Sequence, residues 1–140
     1  MARKQVVYTS THGRDNGKTF EITEMSALQA SKWARMALSR IAKEGYLPDG
    51  IKFSDGVAGL AEAGYASMCF CESCWDLLDD LMACAKIKTP SGVTREVIID
   101  VDVEEQETIT DLHLEAYKLI VDFSKAADPL KSPDAAAADQ

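Results

Sequence analysis

The chain has 140 residues, 46% of them hydrophobic and 27% charged, with a formal net charge of -8. That composition excludes a disordered chain and suits one globular domain, expected over residues 1–126. The acidic balance excludes nucleic acid as a partner for most of the surface, because such binding depends on neutralising phosphates.

The charge is uneven: residues 1–50 carry eight Lys/Arg against five Asp/Glu, whereas residues 51–140 carry seven against eighteen. No apolar run approaches the ~18 residues of a membrane span, and "MARKQVVYTS" holds no signal-peptide hydrophobic region. A soluble cytoplasmic product without membrane partners is expected, its cysteines at 69, 71, 74 and 84 reduced.

Residues 5–24 read as a β-hairpin. "QVVYTST" is rich in β-branched residues, and "KTFEITEM" alternates, with Phe20 and Ile22 on one face and Thr19, Glu21 and Thr23 on the other. Asn16-Gly17 between them offers the two successive positive-φ residues of a tight hairpin turn. A helix follows from Ser26, because Ser26-Ala27-Leu28-Gln29 fits a capping box. Ala30, Trp33, Ala34, Ala37, Leu38 and Ile41 make its apolar stripe, and Lys32, Arg35, Arg40 and Lys43 its basic face. Gly45 closes it, and Pro48-Asp49-Gly50 makes a loop.

From Ser54 a glycine-weakened helix leads into a stronger one over Ala66 to Ala85. Cys71, Cys74, Trp75, Leu78, Leu81, Met82 and Ala85 share one face of it, and Glu72, Asp76, Asp79 and Asp80 the other. "TPSG" at 89–92 breaks the pattern, and alternation of Val93, Arg95, Val97, Ile99, Val101 and Val103 predicts a strand over Thr94 to Val101. Asp102-Val103-Glu104-Glu105 resembles a second capping box, with acidic residues 104, 105 and 107 suited to a helix N-terminus. The closing helix carries Ile109, Leu112, Ala116, Leu119, Ile120 and Phe123 at helical spacing. Residues 127–140, with two prolines and little to bury, are expected to be disordered. The fold class is therefore α+β and helix-dominated: an N-terminal hairpin, three to four helices and one later strand.

"HGRDNGKTF" at 12–20 looks like a phosphate-binding loop, but only three residues separate Gly13 from Gly17 where that loop has four. The segment also continues as a strand instead of opening a helix, so a turn is the expected reading. The pattern Cys69-x-Cys71-x2-Cys74-x9-Cys84 invites zinc, yet on one continuous helix the four thiols cannot converge tetrahedrally. Cys71 and Cys74 read instead as small buried hydrophobes. His12 and His113 nominate no triad, so no enzyme, no cofactor and no metal are expected. The basic helix face reads as solvated. Met68, Phe70, Trp75, Leu77, Leu78 and Met82 offer more large apolar surface than one small helix needs. Within that group Met68, Phe70, Trp75, Leu78 and Met82 are the candidate partner-binding residues, of the kind that accepts another protein's helix.

Residues 13–38, "GRDNGKTFEITEMSALQASKWARMAL", resemble the opening of the tail assembly chaperones of long-tailed phages and prophages. The positions that carry the likeness are Gly13, Arg14, Asp15, Gly17, Lys18, Phe20, Thr23, Glu24, Met25, Gln29, Ala30, Trp33 and Ala34. The later "DVEEQETI" and "YKLIVDF" are similar too, whereas Ser26 stands where the family often has proline, and the cysteines of 69–74 lie outside its pattern. The resemblance implies a non-enzymatic protein of the host cytoplasm that is absent from the mature virion. It would keep the tape measure protein soluble until the tail tube assembles. The tail tube subunit, a frameshifted longer form and further copies of the chain are additional candidate partners. The alternative is a structural neck, tail-completion or adaptor component of the virion.

Overall fold

A computed structural model describes residues 3–52 and 55–125, with side chains through residue 121. The elements in chain order are β1 (Gln5–Thr9), β2 (Thr19–Thr23), α1 (Ala27–Lys43), α2 (Gly56–Ala63), α3 (Tyr65–Phe70), α4 (Trp75–Met82), β3 (Ala85–Lys88), β4 (Thr94–Glu96), α5 (Ile99–Asp102) and α6 (Gln106–Lys125). Two short 3-10 turns, Gly13–Asp15 and Glu72–Cys74, complete the described set. The fold is α+β, as its sequence implies. Among the described residues the chain forms two compact units, one of residues up to Met25 with Asp76–Leu119, the other of Ser26–Trp75 with the described residues from Ile120.

The first unit is built on a four-stranded sheet in the order β1-β2-β3-β4, each neighbour antiparallel. The period-two alternation of β2 buries Phe20 and Ile22, which stand opposite Ile87 and Ala85 of β3 on the same face. Tyr8 of β1 packs its ring 6.1 Å from that of Phe20. On the other face Lys86 lies opposite Glu21 on one side and Glu96 on the other, so opposite charges face each other across three strands. Leu77, Leu81, Val103, Leu112, Ala116 and Tyr117 complete the buried apolar set of this unit among the described residues.

The second unit begins with the anticipated capping box: Ser26 Oγ accepts from the Gln29 amide and Gln29 Oε1 from the Ser26 amide, both at 3.2 Å. Helix α1 buries Trp33, Ala34, Ala37, Leu38 and Ile41, and Ala30 is half-buried. It ends in a Schellman motif, the Tyr46 amide donating to Ile41 O and the Gly45 amide to Ala42 O, each at 3.0 Å. Helix α2 approaches α1 through Gly59, where an added Cβ would lie 3.2 Å from Leu38 Cδ1 and 3.1 Å from Ile51 Cγ2. Leu60, Met68, Cys71, Cys74, Ile120 and Val121 are also buried in that unit.

Four local expectations are corrected. The helix over Ala66 to Ala85 is broken, because Cys71 is extended (φ -95°, ψ 102°) and a 3-10 turn follows before α4. Helix α4 stops at Met82, and Ala85–Lys88 leaves it as a second later strand, tied to the end of β2 by the Thr23 amide donating to Cys84 O at 2.9 Å. The strand over Thr94 to Val101 ends at Glu96. There the Asp102 carboxylate takes the Ile98 amide at 2.7 Å and both Arg95 terminal nitrogens at 2.7 Å, folding Ile99–Asp102 into a helical turn with Ile98 and Val101 exposed. Asp102 is therefore not the cap of α6. Of the Asn16-Gly17 pair only Gly17 has positive φ (91°), while Asn16 at φ -54°, ψ 125° takes the second position of a type II turn closed by the Lys18 amide on Asp15 O. The expected disorder of 127–140, the start at Ser54 and the side chain of Phe123 lie outside the described residues. No helix among the described residues is long and apolar enough to cross a membrane.

Candidate partner-binding surface

The polar interior of the first unit gathers around the turn that first suggested a nucleotide. Among the described residues the buried polar side chains are Ser10, Asp15, Asp102 and Thr108, all in this unit. Asp15 is fully buried and accepts from the amides of Glu104 (3.0 Å) and Glu105 (2.8 Å), immediately before α6. Lys18 Nζ reaches Asp15 Oδ1 at 3.0 Å, Asp102 O at 2.8 Å and Glu104 Oε2 at 3.3 Å. Arg14 donates to Glu105 Oε2 (3.1 Å) and Glu104 O (2.9 Å), and a Cβ on Gly13 (φ 43°) would strike the Glu105 carboxyl, its Cδ only 2.9 Å away. Ser10 and Thr108 share a 2.9 Å hydroxyl bond beneath. Gly13, Arg14, Asp15, Gly17 and Lys18 thus form a clasp on the residues that open α6. The lysine that would hold a phosphate is spent on two carboxylates and a carbonyl.

A second tie lies beside it. Asp111 of α6 accepts from Tyr8 Oη at 2.5 Å and pairs with His12 Nε2 at 2.8 Å, at a small cavity of ≈ 250 Å³ lined also by Gln106, Glu107 and Thr110. Burial, then the Asp111 bond, pushes the Tyr8 hydroxyl up to about 12. His113 is half-buried on α6, and that burial lowers its pKa.

The carboxylates of the clasp set its response to acid. Burial alone would raise Asp15, but the Glu104 and Glu105 amides, Lys18 and Thr108 outweigh it and bring the carboxyl from 3.8 to about 2. Asp102 is lowered by Arg95, Glu105 by Arg14, and Asp111 by Tyr8 and His12 against its burial. A carboxyl depressed in the folded state gives stability that is full above its unfolded value and lost as pH falls through the folded one. Urea midpoints measured between pH 7 and 2 should therefore be nearly level to about pH 5, then fall from 3.8 toward 2. An Asp15→Asn chain should show a shallower fall.

The five candidate partner residues are divided between the two units. Met68 is fully buried and belongs to the core of the second unit. Leu78 and Met82 are half-buried and fall in the first unit. Phe70 and Trp75 remain, 71% and 53% exposed, at the two ends of the turn over Cys71–Cys74. Leu77 is buried. Trp75 is held by its indole N–H, which donates to Cys69 O at 3.1 Å.

That turn is fixed from α1. Arg40 donates to Ser73 O at 2.8 Å, and Glu44 Oε2 accepts the Ser73 amide at 2.9 Å, so both backbone groups of Ser73 are satisfied. Hydrogen bonds from the Ser73 side chain and amide hold the Glu44 carboxyl below its ordinary range. Arg40 is thus a structural member of the basic face, whereas Lys32, Arg35 and Lys43 are exposed along a shallow groove of ≈ 430 Å³ that also includes Met36 and Ser39.

Cys71 and Cys74 are buried, Cys84 is half-buried and Cys69 exposed. Burial raises the thiols of Cys69, Cys74 and Cys84. Among the described residues no three His, Cys, Asp or Glu side chains are grouped to hold a metal ion. Compared with protein-family models, curated proteins and solved structures, the chain gives no match.

Proposed function

We propose that this chain is a non-enzymatic tail assembly chaperone of a long-tailed phage or prophage, which binds the tape measure protein and keeps its apolar helices from aggregating until the tail tube forms. The observation that carries the reading is the motif of residues 13–38 together with the "DVEEQETI" segment at 102–109, two separate blocks that resemble the family. They meet as the two halves of one clasp, Asp15 on the Glu104 and Glu105 amides and Arg14 on Glu105. A family signature made of mutually dependent residues is harder to match by chance than the same letters scattered over a surface.

The working surface in this reading is the Phe70 and Trp75 pair, presented on a braced turn beside the acidic residues Glu72 and Asp76. Large exposed aromatics bind apolar helices, and acidic neighbours keep the free protein from self-association. Binding is reversible, since the partner is released as tail tube subunits assemble. The protein acts in the host cytoplasm and is left out of the virion. Co-expression with the tape measure protein of the same genome is expected to move that protein from the pellet into the soluble fraction. A tape measure protein that stays equally insoluble would overturn the proposal.

A further inference from the structure

The sequence Phe70-Cys71-Glu72-Ser73-Cys74-Trp75 places a Cys-x-x-Cys pair directly between the two exposed aromatics. The geometry points to a reversible disulfide between Cys71 and Cys74 that locks the Phe70–Trp75 turn. The Cys74 amide donates to Cys71 O at 2.8 Å, closing a turn over the two intervening residues. Such an i to i+3 closure brings the Cα atoms within about 7 Å. A disulfide spans Cα separations of about 4.4–6.8 Å, so the bridge needs side-chain rotation and little backbone movement.

The side chains are placed for it. Both residues are fully buried in the second unit, and the Cys74 thiol, raised to about 12 first by burial, has the Cys71 side chain as its next strongest influence. Cys71 Sγ also lies 3.2 Å from Ser73 Oγ, and Cys74 Sγ donates to Ala37 O at 3.8 Å. Arg40 and Glu44 hold the intervening Ser73 by its carbonyl and amide, so the turn stays formed while the sulfurs reorient. Cys69 is exposed and Cys84 lies outside the turn, which leaves Cys71 and Cys74 as the pair whose backbone is already closed.

The oxidant is a low-molecular-weight disulfide. One protein thiol gives its proton to solvent, and its thiolate attacks a sulfur of the small disulfide, whose S–S bond breaks as a mixed disulfide forms. The second protein thiol loses its proton and attacks that mixed disulfide, forming the Cys71–Cys74 bond. Two protein thiols become one disulfide, and one small disulfide becomes two small thiols. Because both sulfurs are buried, the reaction waits on transient exposure of one of them by side-chain rotation and is slow beside labelling of an exposed thiol. An effect on partner binding through Phe70 and Trp75 would follow only if the proposed function holds; disulfide formation does not depend on it.

The test uses the full chain, fully reduced, then incubated with oxidised glutathione and analysed by intact mass and peptide mapping after blocking free thiols. The expected product has lost about 2 Da, carries a Cys71–Cys74 link, retains two blockable thiols of the original four, and returns to the starting mass with dithiothreitol. Cys71→Ser and Cys74→Ser each abolish the loss, and Cys69→Ser retains it. A chain that gains only stable glutathione adducts, links any other pair, or keeps four blockable thiols would overturn the inference.

Discussion

Replacing Asp15 with alanine is expected to destabilise the chain by about 3 kcal/mol, lowering its melting temperature by roughly 10 °C. The side chain is fully buried and serves two backbone amides and one ammonium, so truncation leaves the Glu104 and Glu105 amides without their acceptor, while Lys18 keeps Asp102 O and the Glu104 carboxylate. A lost hydrogen bond that leaves a buried donor bare costs far more than the net value of the bond. Asn16→Ala, at the exposed tip of the same turn, serves as the control and is expected to change stability by less than about 0.5 kcal/mol. Thermal unfolding by circular dichroism distinguishes the two. Equal melting temperatures for the Asp15→Ala chain and the parent would mean that the clasp contributes nothing.

The second large effect is on binding. Phe70→Ser and Trp75→Ser are each expected to weaken the complex with the tape measure protein at least about 30-fold, since exposed aromatics anchor interfaces at 2 kcal/mol or more. The free protein should remain folded: Phe70 is 71% exposed, and loss of the Trp75 bond to Cys69 O costs about 1 kcal/mol. Titration calorimetry on both variants checks the effect, with Met68→Ala as the contrast. Met68 is fully buried, so its truncation should lower stability by about 2–5 kcal/mol. Tight binding by both serine variants would place the contact elsewhere.

The sequence is legible where local chemistry and burial agree. Helix α1 shows its cap, stripe and terminal glycine within twenty residues, and β2 declares its buried face through Phe20 and Ile22. It misleads where a remote group decides the backbone. Val97, Ile99 and Val101 alternate like a strand, yet Asp102 takes the Ile98 amide and Arg95 and turns the chain into α5. Strand β3 is hidden because Ala85-Lys86-Ile87-Lys88 follows an amphipathic helix without a glycine or proline, and only the partner β2 gives it a reason to extend.

The site is less legible than the fold. Cys71 fits a helical stripe as well as any small apolar residue, so the break that exposes Phe70 and Trp75 has no signal at that position. The clasp is concealed by distance: Asp15 looks like a turn residue until Glu104 and Glu105 arrive from the other end of the unit. One clue was present, since a lysine and an aspartate three apart in a glycine turn pair readily, and "DVEEQ" offers both a helix start and excess carboxylate.

The claim that this chain binds the tape measure protein is tested most directly by size-exclusion chromatography with light scattering on the two proteins purified after co-expression. The account predicts a soluble complex of defined mass containing both chains, lost in the Phe70→Ser/Trp75→Ser double variant. Separate elution of the two wild-type chains, together with recovery of this chain from washed mature particles, would contradict it.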